Sequence, residues 1–337
     1  MSADTFTLVD KFYFRDLHQH VLIGAASDRY AGWIGQVYSR GRYDRSITRR
    51  SHRVGAHSFV EEVLPVESVG EFFVHFAVLE IDYTFYRPLV DRGGKPNRNH
   101  QVLRTYKQHL RDDDSLILKV PQMVTAQKIR SGGGYIANET YLNPDVFTTQ
   151  FYAPANEVLG ANLAGFIFEQ EYQRARDRVS TREMAEALDG FFSSIPNDNR
   201  YHIELRTEAY LHPLVFAVLR KHGVGQVLSH WTWLPSLGRQ LAKSEERFSN
   251  GGNECIIRLM TPLGVRYEDA YARAFPFNKL VDRMLQEEMV EDAARIMMQG
   301  VEQGTRMYVV VNNRSGGNAP MIAQRIAQRF LELCPPR

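Results

Sequence analysis

The residues of this 337-residue chain best placed to do chemistry stand at the ends of short apolar runs, because such a run reads as a buried strand and its last positions as the edge of a pocket. Glu80 and Asp82 end the run from Val78, Lys119 ends the run from Ser115, and Glu169 follows Phe168. Glu204 and Arg206 close the run from His202, His230 follows Ser229, Arg258 precedes Leu259, and Asn312 and Asn313 follow Val311. Glu80 with Asp82, and Glu204 with Arg206, are two residues apart and share one face of an extended strand. A carboxylate beside Lys119 and Arg206 stays ionised and can act as a general base, whereas one in apolar surroundings gains a raised pKa and can act as an acid. The sequence leaves both open. It also leaves open a paired network that closes on itself, since buried charges need partners. The functional reading takes Glu80 or Glu204 as proton shuttle, Lys119 and Arg206 as stabilisers of negative charge, and Asp82, His230, Arg258, Asn312 and Asn313 as ligand contacts.

A second constellation runs from Asn312 through Arg314, Ser315, Gly316 and Gly317 to Asn318, just before Pro320. Glycines there could bring backbone N–H groups to a phosphate at a helix N-terminus, or form an ordinary turn with Asn318 as cap. A third is Arg40, Arg42, Arg45, Arg49, Arg50 and Arg53 with Tyr38 and Tyr43 interleaved, which suits an anionic substrate or, as the alternative, a nucleic acid. Glu80, Glu169, Glu204 and His230 would make an oxygen-rich metal set, but Lys119 and Arg206 put positive charge in the same place, so no metal and no cofactor is expected. Trp231 and Trp233 flank Thr232 and suit either a ligand cleft or packing. No Gly-x-Ser-x-Gly elbow, Walker A sequence, His-Glu-x-x-His pair or dinucleotide fingerprint occurs.

The elements that must position these groups alternate. Eight apolar runs, Val21–Gly24, Val78–Asp82, Ser115–Lys119, Leu163–Phe168, His202–Leu205, Gly225–Ser229, Cys255–Leu259 and Met307–Val311, are separated by segments of helical period. Helix starts are marked by Asn143-Pro144, by Pro213 and by Asn318-Ala319-Pro320, and the longest helical pattern runs from about Pro276 to Gln303. Eight such repeats predict a (β/α)8 TIM barrel, with a doubly wound sheet as the competitor. Without a linker or internal repeat, residues 1–337 read as one domain, carrying a long basic first βα loop at 25–58 and a Gly-rich third loop at 126–142 whose Ser131-Gly132-Gly133-Gly134 is too flexible for regular structure.

Composition narrows the class. Hydrophobic residues are 44% and charged residues 24%, the content of a folded globular protein. Forty-one basic against 39 acidic residues leave a net charge of +2, so electrostatic affinity must be local. Cys255 and Cys334 have no metal-type spacing and fit a reducing compartment. The polar start lacks a secretory pattern and no apolar run approaches membrane length, so a cytoplasmic location off the membrane is expected, with oligomeric state left open.

Several strand ends carry a resemblance. Glu80-Ile81-Asp82-Tyr83-Thr84-Phe85-Tyr86-Arg87-Pro88 is similar to the second-strand motif of the domain of unknown function 72 family, the YecE-like group of TIM-barrel proteins. Similar in kind are Lys119-Val120-Pro121 with Thr125, Glu204-Leu205-Arg206, the stretch Tyr308 to Asn313 with Gly317, Ala319 and Pro320, and Tyr30 to Tyr38 with Ser39 where the family usually has Pro. The pattern departs at Glu169-Gln170-Glu171-Tyr172, at Ser229-His230 and at Leu259-Met260, which marks a divergent member. The resemblance implies the barrel fold; it brings no established reaction. The expected function is binding of an anionic, phosphorylated or polyhydroxylated small ligand at the C-terminal face, with acid–base hydrolase, lyase or isomerase chemistry. A ligand sensor without turnover is the further alternative.

Overall fold

The computed structural model describes residues 3–131 and 134–334. Parallel strands wind in sequence order around one axis: β1 Val21–Ala26, β2 Val78–Ile81, β3 Ser115–Lys119, β4 Leu163–Gln170, β5 Tyr201–Leu205, β6 in two pieces, β7 Glu254–Leu259 and β8 Arg306–Val311. The pieces of β6, Gly225–Gln226 and Leu228–His230, flank Val227; the first pairs with β5 and the second with β7. That change of partner carries the sheet round, and β1 pairs with both β8 and β2, so the nine strand segments make an eightfold barrel. This is the predicted TIM barrel, and the doubly wound sheet is excluded by the β1–β8 pairing.

Strand parity builds two layers inside it. Val78, Ile117, Ile167, Val227, Ile256 and Val310 form an apolar plug. Two residues further along their strands, Glu80, Lys119, Glu169, Ser229 and Arg258 point the same way, one layer nearer the C-terminal end. The opposite faces of the strands pack on the helices in the larger core, where Val21, Leu79, Leu116, Phe166, Ile203 and Val309 meet Phe72, Leu103, Phe191 and Ile326.

Helix boundaries follow local chemistry. The Asn143 side chain accepts from Val146 N, and Asn318 accepts from Met321 N to start Ala319–Leu333. Ser180 and Glu183 form a capping box that starts Thr181–Ser194. The long pattern from Pro276 is cut short: the helix is Glu287–Glu302, burying Met289, Ala293, Ile296 and Met297 as expected. Residues 276–286 form an irregular strap because the Val281 N–H is taken by Gly316 O at 2.9 Å, and Phe277 and Arg283 have positive φ.

Both elaborated loops contain hairpins. In the first, Thr48–Val54 pairs antiparallel with His57–Val63. In the third, Lys128–Ser131 pairs with Gly134–Ala137, so Ser131 and Gly134 face each other in a ladder rather than in an irregular loop; Gly132 and Gly133 lie outside the described residues. The first hairpin sets Val54 and Phe59 against Tyr271 and Phe277, while Gly134–Ala137 is exposed along its length, so few apolar positions signal a strand in either.

Candidate functional site

The upper layer of the barrel is built around Arg258, which is wholly buried. Its Nε and Nη2 donate to the two oxygens of Glu80, each at 2.7 Å, while Nη1 donates to Glu204 and, at 3.3 Å, to Glu169. Lys119 Nζ reaches Glu169 at 2.6 Å, and Arg206 reaches Glu169 at 2.7 Å and Glu204 at 3.1 Å. Ser229 donates to the remaining Glu204 oxygen at 2.5 Å. Phe85 lies 4.2 Å under the Lys119 ammonium and Trp231 4.9 Å from the Arg206 guanidinium. Three carboxylates and three cations therefore balance. Burial alone would raise the Glu169 pKa, but Arg206, Lys119 and Arg258 outweigh it and hold the carboxyl well below its usual range. The guanidinium of Arg258 fills the space between Glu80, Glu169 and Glu204 in which a metal ion would have to sit.

Glu80, Lys119, Glu204, Arg206 and Arg258 are thus brought together. The other sequence candidates lie elsewhere on the same end. β2 stops at Ile81, so Asp82 turns out of the ladder and sits exposed at the mouth. His230 is out of phase with Ser229, and its Nδ1 bonds to Thr261 O at 2.9 Å; burial lowers its pKa to about 4. Asn312 accepts from Arg314 N, and Asn313 Oδ1 accepts from the Trp33 indole at 3.0 Å and from Ala319 N at 2.7 Å. Gly316 and Gly317 are buried against the strap; a Cβ on Gly317, at φ +111°, would lie 2.4 Å from Lys279 O. Of the arginine-rich loop, Arg42 pairs with Glu71 at 2.5 Å, Arg49 pairs with Glu62 across the hairpin at 3.0 Å, and Arg53 bonds to Gly55 O.

Beside the network a cavity of about 260 Å³ opens between the ends of β1, β2 and β8 and the first-loop hairpin, small for a ligand site. Glu80 forms part of its wall, linking it to the network. The other charged groups are Asp28, Arg29, Arg50, His52, Glu61, Asp82 and Arg314. Tyr30, Tyr83, Tyr106, Tyr267 and Tyr271 supply the rings and hydroxyls. Arg29, Arg50 and Arg314 form no ion pair among the described residues. The Arg50 pKa is lowered by burial and then by Arg29 and Arg98, against the opposing pull of Glu61. Arg314 lies 4.5 Å over Tyr267 with its Nε buried and unpartnered. Glu61 accepts from Tyr271 at 3.3 Å, and burial raises its pKa.

Sequence reading missed most of this wall. Asp28 and Arg29 lie just beyond β1 and obey the same strand-end rule that found Glu80, but the first apolar run in the sequence ends at Gly24. His52 and Glu61 come from a hairpin, and Tyr267 and Tyr271 from the helix Tyr267–Ala274; no spacing links them to β1.

The family profile described as "Protein of unknown function DUF72" matches residues 57–334. The chain belongs to the DUF72 family. The match begins within the hairpin of this DUF72 chain, so β1 and the stretch Tyr30 to Tyr38 lie before it. A DUF72 family protein from Enterococcus faecalis is 13% identical, with 92% of this chain and 95% of that one covered at a TM-score of 0.54. A DUF72 family protein from Thermotoga maritima is 14% identical, with 93% and 100% covered at a TM-score of 0.53. These likenesses show the fold. No curated protein matches the sequence.

Proposed function

We propose that this DUF72 protein binds a small phosphorylated or polyhydroxylated anion at the C-terminal face of its barrel and acts on it by acid–base chemistry of the hydrolase, lyase or isomerase class. The observation that carries the reading is the presence of Arg29, Arg50 and Arg314 in one cavity wall without an ion pair among the described residues, beside a charge network that is already balanced. Guanidinium groups that line a cavity wall without an ion pair of their own favour an anionic ligand, since charge-assisted hydrogen bonds to an anion are strong. Asp82, Glu61 and the tyrosine hydroxyls suit ligand hydroxyls. In this reading Glu80, the network carboxylate that reaches the cavity, and Glu204 behind it move the proton. Lys119 and Arg206 offset developing negative charge, and Asn312 and Asn313 hold the Arg314 segment that orients the ligand.

Calorimetric titration of organic phosphates and sugar acids at low salt tests the binding half. Saturable binding is expected, weakened about tenfold or more by Arg314→Ala or Arg50→Ala, each removing one charged contact. Phosphorus NMR of the bound organic phosphates tests the chemistry, with turnover lost and binding kept in Glu204→Gln. Failure of every anion to bind saturably would sink the reading.

A further inference from the structure

Asp28 occupies an unusual place in this cavity. Its side chain is 1% exposed, and Oδ1 accepts from the Tyr106 hydroxyl at 2.8 Å, yet Oδ2 is buried with no hydrogen-bond partner. Its own carbonyl accepts from the Tyr38 hydroxyl at 2.7 Å, which fixes the backbone. The charged and titratable groups facing it are Arg29 beside it, Tyr38 from the first loop, Asp82 and Tyr83 from the turn after β2, and Tyr106 from the helix Arg98–Lys107. Tyr83 also has a buried hydroxyl without a partner. Arg29 is the positive member of this group and makes no ion pair of its own among the described residues. An ionised Oδ2 would repel any anion docked on Arg29. A protonated one would donate to it and satisfy the orphaned atom.

We propose that an anion and a proton enter this cavity together: as the anionic group docks on the guanidiniums of Arg29, Arg50 and Arg314, Asp28 takes a proton from solvent onto Oδ2 and donates it as a hydrogen bond to the anion. This rests on the anion-binding reading above and adds to it the regulation of the site by pH. The O–H bond forms with one proton drawn from buffer, and no other bond changes. Burial already lifts the Asp28 carboxyl to about 6, against the opposing pull of Arg29 and the Tyr106 hydroxyl, so little further shift is needed near neutral pH. By reciprocity, a site that gains a proton on binding loses affinity as pH rises. Protonated carboxyls that act as donors are an established device for stabilising negative charge.

Sulfate is the probe, because its own charge is constant over the range that matters. Its binding to the full chain is measured by calorimetry between about pH 5.5 and 8 in buffers of different ionisation heat, which counts protons taken up. Uptake approaching one proton per sulfate is expected at about pH 7, with affinity falling up to about tenfold per pH unit above about pH 6. Asp28→Asn should bind sulfate without that uptake and with little pH dependence. Tyr106→Phe, which removes a hydrogen bond that holds the Asp28 pKa down, should move the onset of weakening to higher pH. His52, Glu61 and Asp82 share the cavity wall with Asp28, so uptake must persist in His52→Asn, Glu61→Gln and Asp82→Asn. Sulfate binding with no proton uptake by the wild-type chain overturns the proposal even if Asp28→Asn fails to fold. So does uptake that survives Asp28→Asn and vanishes with His52, Glu61 or Asp82. No sulfate binding at any pH overturns the anion-binding reading, and this proposal with it.

Discussion

Arg258 shows how much one residue decides. Its side chain holds Glu80 through two bonds and reaches both other network carboxylates, all at negligible exposure. Removing it strands buried negative charge. Arg258→Leu is expected to lower unfolding stability by about 3–5 kcal/mol, measured by urea denaturation, because breaking a buried ion pair from one side leaves the other side uncompensated. A triple variant that also neutralises Glu80 and Glu204 as Gln should recover part of that loss. Recovery would separate the cost of stranded charge from the cost of an ill-packed barrel end. Glu80, Lys119, Glu204 and Arg206 were visible in the sequence as strand-end charges, since parity and an apolar run are local properties. Their mutual pairing was not, because Arg258 meets Glu80 across 178 positions of chain.

At the scale of elements, the glycines mark where backbones approach most closely. Gly225 stands at the start of β6, and a Cβ there would lie 2.6 Å from the His202 ring and 3.1 Å from Asn250 N. His202 is itself fixed between Arg200 O and Glu254 O, so the ring has little room to retreat. Gly225→Ala should therefore cost roughly 1–3 kcal/mol, the range for overpacking a closed core, read as a shift in the urea midpoint at unchanged slope. The eight apolar runs located the strands to within about two residues. The hairpins at residues 48–63 and 128–137 escaped because their apolar positions are too few to show a period, and the helix expected from Pro276 gave way to a strap in which the Val281 N–H bonds to Gly316 O. Periodicity reports burial, and it loses its meaning where tertiary hydrogen bonds replace local ones.

For the whole molecule, titratable groups set a pH window. His202 and His230 are both buried, and burial lowers each pKa to about 4 from an ordinary value of 6.5. The unfolded chain then binds more protons than the folded one as pH falls from about 6.5 towards 4, so stability falls over that interval and the loss is complete below it. Each histidine accounts for at most about 3 kcal/mol. Asp28 runs the other way: its carboxyl is raised by burial, so acidification through about 6 favours the folded state and offsets part of the loss. Glu169, held low by Arg206, Lys119 and Arg258 in spite of burial, adds a further loss at lower pH. Unfolding free energy measured from about pH 7 to 4 should decline, and His202→Gln should flatten the curve. A curve flat across that range would refute neutral buried histidines.

Some properties of this protein followed from the sequence alone, because they depend on neighbours along the chain. The alternation of buried strands with capped helices specified an eightfold barrel, and the motif from Glu80 to Pro88 carried the family resemblance. Strand-end polarity picked out the upper layer, since every second residue of a barrel strand points inward. Among the described residues no helix is long and apolar enough to cross a membrane, as the hydropathy pattern indicated. The division of charge was decided only by the tertiary structure. Closure of the sheet between β1 and β8 set six charged groups against one another in a balanced network, and the first-loop hairpin folded over the barrel mouth to bring Arg50, His52 and Glu61 beside Asp28 and Arg314. Which charges pair and which face a cavity depends on distances between elements, and those distances exist only once the barrel has closed.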